Sequence, residues 1–385
     1  MIYVALFVAV HSHLNTCDKL FGTQSLLKIN SCLTHRELHW AACHLGMLTL
    51  HPALIRGPVG NERIDAVSGR SHKSEKLVFD KGAFTVNAFV LPDAIRSSPP
   101  ATATVLQSIS VAFEPQQQPY PLVRFLVRRG DYANPCFALS QIYNTWIVMR
   151  QFVSTNLAEV VWLDGHARSP LDDWWHTLLL VPAYHVKRVA HIFSAPTVIV
   201  NTISAFGDEG LRQYSNGDVC SKTSTLHKFV KHAKAQCKIS VDRTPTLVLL
   251  ERRNYTPHPR SDGIVDRGLV DASDVARLLS KYFYKWAIQV VAFETMGLCD
   301  QIRIVANADV FMAIHGAGNI FSIFLPPHAT FYEFFPPGFA GRRRFQFLSQ
   351  SLNVTYHSVA VSDVHRVGAN KVRVDIRPAL RKLFS

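Results

Sequence analysis

One segment, residues 306–336, constrains the fold more than any other part of the chain. It reads ANADVFMAIHGAGNIFSIFLPPHATFYEFFP. The pattern predicts a buried strand at Val310–Ile314, a sharp turn, an apolar helix start and a second apolar strand ending at Glu333. Glycines at such a turn let a ligand approach the backbone, and the N–H groups of the following helix favour negative charge. With a carboxylate that can accept hydrogen bonds from a ribose, the segment predicts a sugar-nucleotide site formed by His315, Gly316, Ala317, Gly318 and Glu333.

The net charge of the chain indicates which classes of partner it binds. The chain has 385 residues, of which 48% are apolar and 18% charged, so two domains with large cores are expected. The formal net charge of +13 favours anionic partners: nucleic acid, acidic membrane or phosphorylated small molecules. Nucleic acid is not expected, because the basic residues are scattered and no motif interleaves them with aromatic residues.

The N-terminal residues and the cysteines give evidence about the cellular compartment of the protein. Residues 2–10 are all apolar, too short to span a bilayer but as long as the core of a signal peptide. This pattern predicts secretory targeting, with membrane anchoring through the N-terminus as a further possibility. None of the seven cysteines forms a CxxC pair, so zinc is not expected. Cys220 and Cys237 flank one helical segment, and either a disulfide between them or two buried thiols is compatible with the sequence.

Strands and helices alternate from Leu122 onward, which predicts an α/β fold with parallel sheets. We expect two Rossmann-like domains: an N-terminal targeting or variable segment at 1–75, a first domain at 76–240 and a second at 241–385. Helical spacing is clearest at residues 137–152 and 274–286. The tryptophans are expected to belong to the core.

Charged residues follow two of the predicted strands, where ligands of open parallel sheets bind. Arg252 and Arg253 end one strand, and either grip phosphate oxygens with their forked guanidinium groups or are solvated charges. Asp164 and His166 end another strand, where they supply a general base for a hydroxyl or serve as a turn cap and a surface histidine. No Asp-x-Asp motif stands where a diphosphate-bridging metal would bind, so no metal is expected.

Four blocks of this sequence resemble glycosyltransferase family 61. They are Arg129–Asn134 with the helix to Asn144, Val161–Trp174, Leu249–Asn254 with Arg267, and Asp300–Glu333. The chain is most similar to the branch of the family that contains the EGF-domain-specific O-GlcNAc transferase.

The resemblance implies a GT-B architecture, with two Rossmann-like domains facing a central cleft. It also implies inverting, metal-independent transfer from a UDP-sugar donor, UDP-GlcNAc or UDP-xylose, in the lumen of the endoplasmic reticulum or Golgi. The acceptor would be a protein Ser or Thr hydroxyl or a glycan, and no cofactor is expected. By position, Arg252, Arg253, Arg267 and the turn at 315–318 would hold the diphosphate and Glu333 the ribose. Asp164 and His166 would lie on the acceptor side.

The sequence departs from the family at two positions of the first helix. Relatives usually carry His and Asp where this chain has Phe137 and Gln141. Because two ionisable groups are lost, an alternative function remains: a nucleotide-sugar-binding or glycan-binding protein with weakened catalysis. The charge of +13 leaves open a protein that binds polyanions.

Overall fold

The chain folds into two compact units. A computed structural model describes residues 31–35, 40–60, 62, 76–81, 83–86, 109–111, 122–150, 157–188, 194–202, 224–240, 244–253, 267–368 and 371–385. Unit 1 consists of Met1–Gly210 with His258–Arg260, and unit 2 of Leu211–Pro257 with Ser261–Ser385.

Unit 1 is built on a mixed sheet. Its elements in chain order are β1 (Ser31–His35), β2 (Trp40–Leu50), β3 (Ile55–Arg56), β4 (Val78–Phe79), β5 (Phe84–Val86), β6 (Ile109–Val111), β7 (Leu122–Val127), α1 (Pro135–Met149), β8 (Leu157–Trp162), α2 (Asp172–Leu179), β9 (Ala183–His185) and β10 (Ser194–Thr202). The sheet has the order β6-β5-β2-β10-β7-β8-β9, and β1 pairs with β2. Strands β10, β7, β8 and β9 run parallel, whereas β2 is antiparallel to both β10 and β5.

The parallel part of this sheet is buried on both faces, as such strands usually are, and its one pair of charged residues, Arg124 of β7 and Glu159 of β8, is joined by a hydrogen bond of 2.6 Å. Helix α1 begins where Asn134 accepts a hydrogen bond from the backbone N–H of Cys136 and Pro135 occupies the first turn. Asn134 is therefore the N-cap of α1. Four tryptophans, Trp146, Trp162, Trp174 and Trp175, are buried in this unit, as expected.

Unit 2 is built on a parallel sheet. Its elements are α3 (Ser224–Gln236), β11 (Thr246–Glu251), β12 (Arg267–Leu269), α4 (Ala272–Tyr282), β13 (Ala287–Ala292), α5 (Leu298–Ala306), β14 (Val310–Ile314), β15 (Thr330–Phe335), α6 (Arg344–Ser351), β16 (Thr355–Ala360), β17 (Val364–Gly368), β18 (Lys371–Val374) and α7 (Arg377–Phe384). Five parallel strands have the order β13-β11-β14-β15-β16, and β12-β18-β17 form a small separate sheet. In chain order the five strands read 2-1-3-4-5, a doubly wound order that reverses between β11 and β14.

A disulfide in unit 2 differs from the pairing considered from the sequence. Cys237, which follows α3, is bonded to Cys299 in α5, with the two Cα atoms 5.0 Å apart. A bond between Cys237 and Cys220 is therefore wrong. Helical spacing drew attention to Cys220, but the two cysteines that pair are 62 residues apart in the sequence.

The α/β prediction is confirmed, with two local corrections in the 306–336 segment. The residues after the glycine turn form a 3-10 helix, Ala317–Phe324, and not the start of an α-helix. Only a short stretch separates the turn from Pro326 and Pro327, and 3-10 bonds suit such short connections. Glu333 lies in the middle of β15 and not at its carboxyl end.

The unit boundaries differ from the expected ones. Strand β2, which lies within the segment expected to be variable, pairs with β5 and β10 inside the sheet of unit 1. The apolar residues 2–10 lie outside the described residues. Among the described residues, no helix has both the length and the apolar character needed to cross a bilayer.

Candidate functional site

The switch point of the unit 2 sheet brings Arg252 and Gly316 together. Arg252 follows β11 and Gly316 follows β14, so both lie at the edge where doubly wound sheets bind ligands. A Cβ built on Gly316 would lie 3.0 Å from Nη1 and 3.3 Å from Cζ of Arg252. The guanidinium therefore lies against the backbone of the turn. A Cβ on Gly318 would lie 3.2 Å from Leu250, so this glycine packs on the sheet.

A hydrogen bond to Glu333 orients the side chain of His315. Its Nδ1 donates to Oε1 of Glu333 at 2.6 Å, and Asn319 donates to the same oxygen at 3.0 Å. Tyr356 donates to Oε2 at 2.6 Å. Burial and the nearby Glu333 charge raise the pKa of Tyr356, so its hydroxyl keeps its proton. Glu333 has 0% of its surface exposed, and its carboxylate already accepts three side-chain donors. This geometry favours a role in orienting His315 over direct contact with a ribose.

Arg267 reaches the same cluster through Phe339. Its Cζ lies 4.1 Å from the centre of the Phe339 ring, and Cζ of Arg342 lies 5.0 Å from that centre. The imidazole of His315 lies 6.0 Å from the same ring. Two guanidinium groups and the oriented histidine thus gather around one aromatic side chain.

Arg253 is placed differently from Arg252. Its Nε donates to Oε2 of Glu251 at 2.8 Å, and its side chain is 58% exposed. The surface pair neutralises its charge locally, and such exposed pairs contribute little energy. Of the two arginines singled out from the sequence, Arg252 is the one in contact with the glycine turn.

Glu294 was missed by the sequence analysis. It follows β13, the strand next to β11, in a 3-10 helix at Phe293–Thr295. Burial raises the pKa of Glu294, although the positive charge of Arg252 opposes the rise. Its Oε2 is buried without a hydrogen-bond partner in the part of the chain that the structure describes. An acid directly after an apolar strand is the signal that could have identified it.

Asp164 of unit 1 is enclosed by Arg129. Nη2 of Arg129 donates to Oδ1 of Asp164 at 2.7 Å, and the Arg129 backbone N–H donates to Oδ2 at 3.0 Å. Nη1 of Arg129 donates to Asp172 at 2.6 Å. Burial alone would raise the pKa of Asp164, but the charge of Arg129 holds it well below its usual range. A carboxylate of such low basicity, 3% exposed, is suited to position Arg129 and poorly suited to accept a proton.

His166 and His185 complete this network. Nε2 of His166 donates to the carbonyl oxygen of Arg129 at 3.2 Å. The ring stacks on Tyr132 with a centroid distance of 4.3 Å. Burial, together with Arg129, lowers the pKa of His185 to about 4, so this imidazole is neutral at pH 7. Asp164 and His166, paired in the sequence analysis, do lie together, with the His166 backbone N–H 3.1 Å from Asp164 Oδ1.

The two departures from the family pattern lie on α1. Gln141 is buried, and its Nε2 would be 3.0 Å from a Cβ built on Gly130, next to Arg129. An amide therefore stands beside the Arg129 network where relatives would have an acid. Among the described residues, no three His, Cys, Asp or Glu side chains are grouped so as to hold a metal.

Comparison with known proteins identifies two similar enzymes and one matching family profile. A beta-1,2-xylosyltransferase of Oryza sativa subsp. japonica is 24% identical over 381 residues, covering 85% of this chain and 69% of the relative. A beta-1,2-xylosyltransferase of Arabidopsis thaliana is 24% identical over 276 residues, covering 62% of this chain and 51% of the relative. A family profile described as Glycosyltransferase 61 matches residues 171–332. The family profile and both relatives support the resemblance to glycosyltransferase family 61 that the four sequence blocks carry.

The same matches support a glycosyltransferase enzyme. The matched residues 171–332 run from α2 into β15, and thus contain Arg252, Arg267 and the turn from His315 to Gly318. The likeness to the EGF-domain-specific branch of the family stays a prediction.

Proposed function

We propose that this chain transfers a sugar, xylose or N-acetylglucosamine, from a UDP donor to a hydroxyl of a protein or glycan. The contact between Arg252 and the Gly316 backbone at the switch point carries the proposal, because it places a phosphate-binding fork beside a turn that a ligand can approach. Xylose is favoured over N-acetylglucosamine, since both relatives are named beta-1,2-xylosyltransferases. The proposal includes a GT-B class of fold, which the doubly wound sheet of unit 2 supports.

Unit 2 would hold the donor. Arg252 and Arg267 bind the diphosphate, together with the backbone of residues 316–318 and the imidazole of His315. Glu294 takes the ribose role first expected of Glu333, because its carboxyl has an unpartnered oxygen at the same sheet edge. The two arginines offset the charge of the leaving diphosphate, which supports transfer without a metal.

Unit 1 would activate the acceptor. His166 removes the proton from the acceptor hydroxyl, and Asp164 positions the loop by holding Arg129. The acceptor oxygen attacks the anomeric carbon as the bond from that carbon to the diphosphate breaks, so UDP leaves and the anomeric centre inverts.

The compartment follows from the same proposal. We place the protein in the secretory pathway, in the lumen of the endoplasmic reticulum or Golgi. The Cys237–Cys299 disulfide supports this, since disulfides persist in oxidising compartments.

A donor panel tests the activity. UDP release from UDP-xylose, UDP-GlcNAc, UDP-glucose and UDP-galactose, and GDP release from GDP-mannose, would be measured with EDTA and with Mn²⁺. We expect slow hydrolysis of one UDP-sugar that EDTA does not abolish, with xylose first. Nucleotide release only in Mn²⁺ would overturn the metal-independent mechanism. UDP binding without release from any donor would favour the non-catalytic binding protein that Phe137 and Gln141 suggest.

A further inference from the structure

Gln301 of α5 holds the turn that carries Glu294. Its side chain is buried, with 6% of the residue exposed, and its Nε2 donates to the carbonyl oxygens of Phe293 at 2.9 Å and of Met296 at 2.8 Å. The two bonds use the two N–H donors of one amide. Because Phe293 and Met296 lie on either side of Glu294 in the chain, the bonds fix the backbone before and after this glutamate.

Helix α5 gives this amide a fixed support. The backbone N–H of Gln301 donates to the carbonyl oxygen of Gly297, the N-cap of the helix, at 3.1 Å. The disulfide between Cys237 and Cys299 ties the first turn of α5 to the end of α3. The position of Gln301 is therefore set by the helix, and the turn before the helix is held against it.

The turn held by Gln301 also packs on the glycine turn of the proposed donor site. The ring centres of Phe293 and Phe321 lie 4.9 Å apart, and a Cβ built on Gly318 would lie 3.7 Å from Cδ2 of Phe293. The positive charge of Arg252 acts on the Glu294 carboxyl. The turn after β13 thus belongs to the same sheet edge as the contact between Arg252 and the glycine turn.

We propose that Gln301 is a positioning residue for the donor, which aims Oε2 of Glu294 at a ribose hydroxyl of the UDP-sugar by holding the backbone of residues 293–296. This oxygen is buried without a hydrogen-bond partner among the residues that the structure describes. Binding sites keep such groups within about 0.5 Å of their productive position through the residues that support them. The inference rests on the proposed function, because it explains how the ribose contact of that donor site is kept accurate.

Calorimetric titration of the full chain with UDP, 2′-deoxy-UDP and 3′-deoxy-UDP tests the proposal. We expect the wild type to bind UDP about tenfold more tightly than at least one deoxy analogue, the contribution of one hydrogen bond. Gln301→Met keeps the length of the side chain but donates no hydrogen bond, so it should bring this ratio close to one. Its preference for UDP over uridine should remain, because Arg252 follows β11 and is not part of the turn that Gln301 holds.

Asn307→Leu is the matched control. Nδ2 of Asn307 donates to the carbonyl oxygens of Ser240 at 3.1 Å and of Arg303 at 3.0 Å. This amide also joins two backbone segments, but at the opposite end of α5 from the switch point. We expect Asn307→Leu to lower stability and to keep the ribose preference of the wild type. A purely structural role for Gln301 predicts instead that both variants lose stability and keep the preference.

Each outcome decides for or against the positioning role. Retention of the wild-type ratio by Gln301→Met, or an equal loss of the ratio in Asn307→Leu, would overturn it. If Gln301→Met does not fold, Gln301→Asn decides by the same ratio, since an amide one methylene group shorter cannot span both carbonyl oxygens. Equal binding of UDP and both deoxy analogues by the wild type would overturn the inference and leave the diphosphate site standing. No binding of UDP by the wild type would refute the proposed function and this inference with it.

Discussion

At the scale of single residues, Glu333 and Glu294 are two glutamates with opposite surroundings. Glu333 is fully buried and accepts hydrogen bonds from His315, Asn319 and Tyr356, whereas Oε2 of Glu294 has no such partner within the described chain. The first is therefore expected to matter for stability and the second for ligand binding.

We predict that Glu333→Gln lowers the free energy of unfolding by about 1–3 kcal/mol, because a donor group replaces an acceptor oxygen in a buried network. Glu294→Gln is the matched control, and we expect it to leave stability unchanged or raise it, because burial disfavours the ionised acid. Urea titration measures both. Equal losses in the two variants would contradict this division of roles.

His185 is expected to make the stability of unit 1 depend on pH. Its pKa is lowered from 6.5 to about 4 by burial and Arg129, while Asp164 opposes the change and His166 lies nearby. Between those two pH values the unfolded chain holds a proton that the folded chain does not, so acid favours unfolding. Stability from this group is fully present above about pH 6.5 and is lost as the pH falls toward 4, by at most about 3 kcal/mol.

Tryptophan fluorescence reports this loss, because several tryptophans are buried in unit 1. His185→Gln should flatten the slope of stability against pH between 4 and 6.5. An unchanged slope in the variant would show that other groups govern acid unfolding.

At the scale of elements, the loop after β3 depends on Gly60. This residue has φ of +69°, and a Cβ on it would lie 2.2 Å from the His185 ring at the end of β9. We predict that Gly60→Ala lowers stability by about 2–4 kcal/mol, from backbone strain and overpacking together. Gly338, with φ of +83° and no atom within 4 Å of its Cβ position, is the matched control.

Gly338→Ala should cost only the backbone strain, about 1 kcal/mol. Thermal unfolding of the two variants gives the comparison. Similar destabilisation in both would mean that His185 moves aside and does not restrain the loop.

How far the sequence predicts these elements depends on the range of the interactions. The strand at Val310–Ile314 was predicted correctly, because an uninterrupted apolar run itself indicates burial on both faces. The N-cap at Asn134 also depends only on neighbouring residues, since its side chain accepts from the backbone N–H of Cys136. The partner of Cys237 and the burial of Glu333 were not predictable, since each depends on residues brought close only by folding.

The candidate site shows the same limit. The turn from His315 to Gly318 and the pair Arg252 and Arg253 were visible as motifs. Which arginine contacts the turn was not, because it depends on the relative register of β11 and β14. Glu294 was missed, although an acid just after an apolar strand could have been recognised in the sequence.

At the scale of the whole molecule, the proposed passage through the secretory pathway predicts a modification that can be measured. Asn353 and Thr355 of the sequon Asn353-Val354-Thr355 are exposed, while Val354 between them is buried. We predict an N-glycan at Asn353 when the full chain is expressed in eukaryotic cells, since the sequon lies on the surface. Peptide-N-glycosidase should increase the gel mobility of the wild type and not of Asn353→Gln. A wild-type protein insensitive to the enzyme would contradict luminal placement.

The central claim is that the switch point of unit 2 binds the diphosphate of a UDP-sugar, and calorimetric titration with UDP tests it most directly. Wild type would be compared with Arg252→Ala, Arg253→Ala and Arg303→Ala, the last an exposed arginine paired with Asp300 on α5. We predict that Arg252→Ala weakens UDP binding by about 10- to 100-fold, the loss of a charged hydrogen bond. Arg253→Ala should have a smaller effect and Arg303→Ala none. Undiminished binding by Arg252→Ala, or no binding by the wild type, would contradict the account.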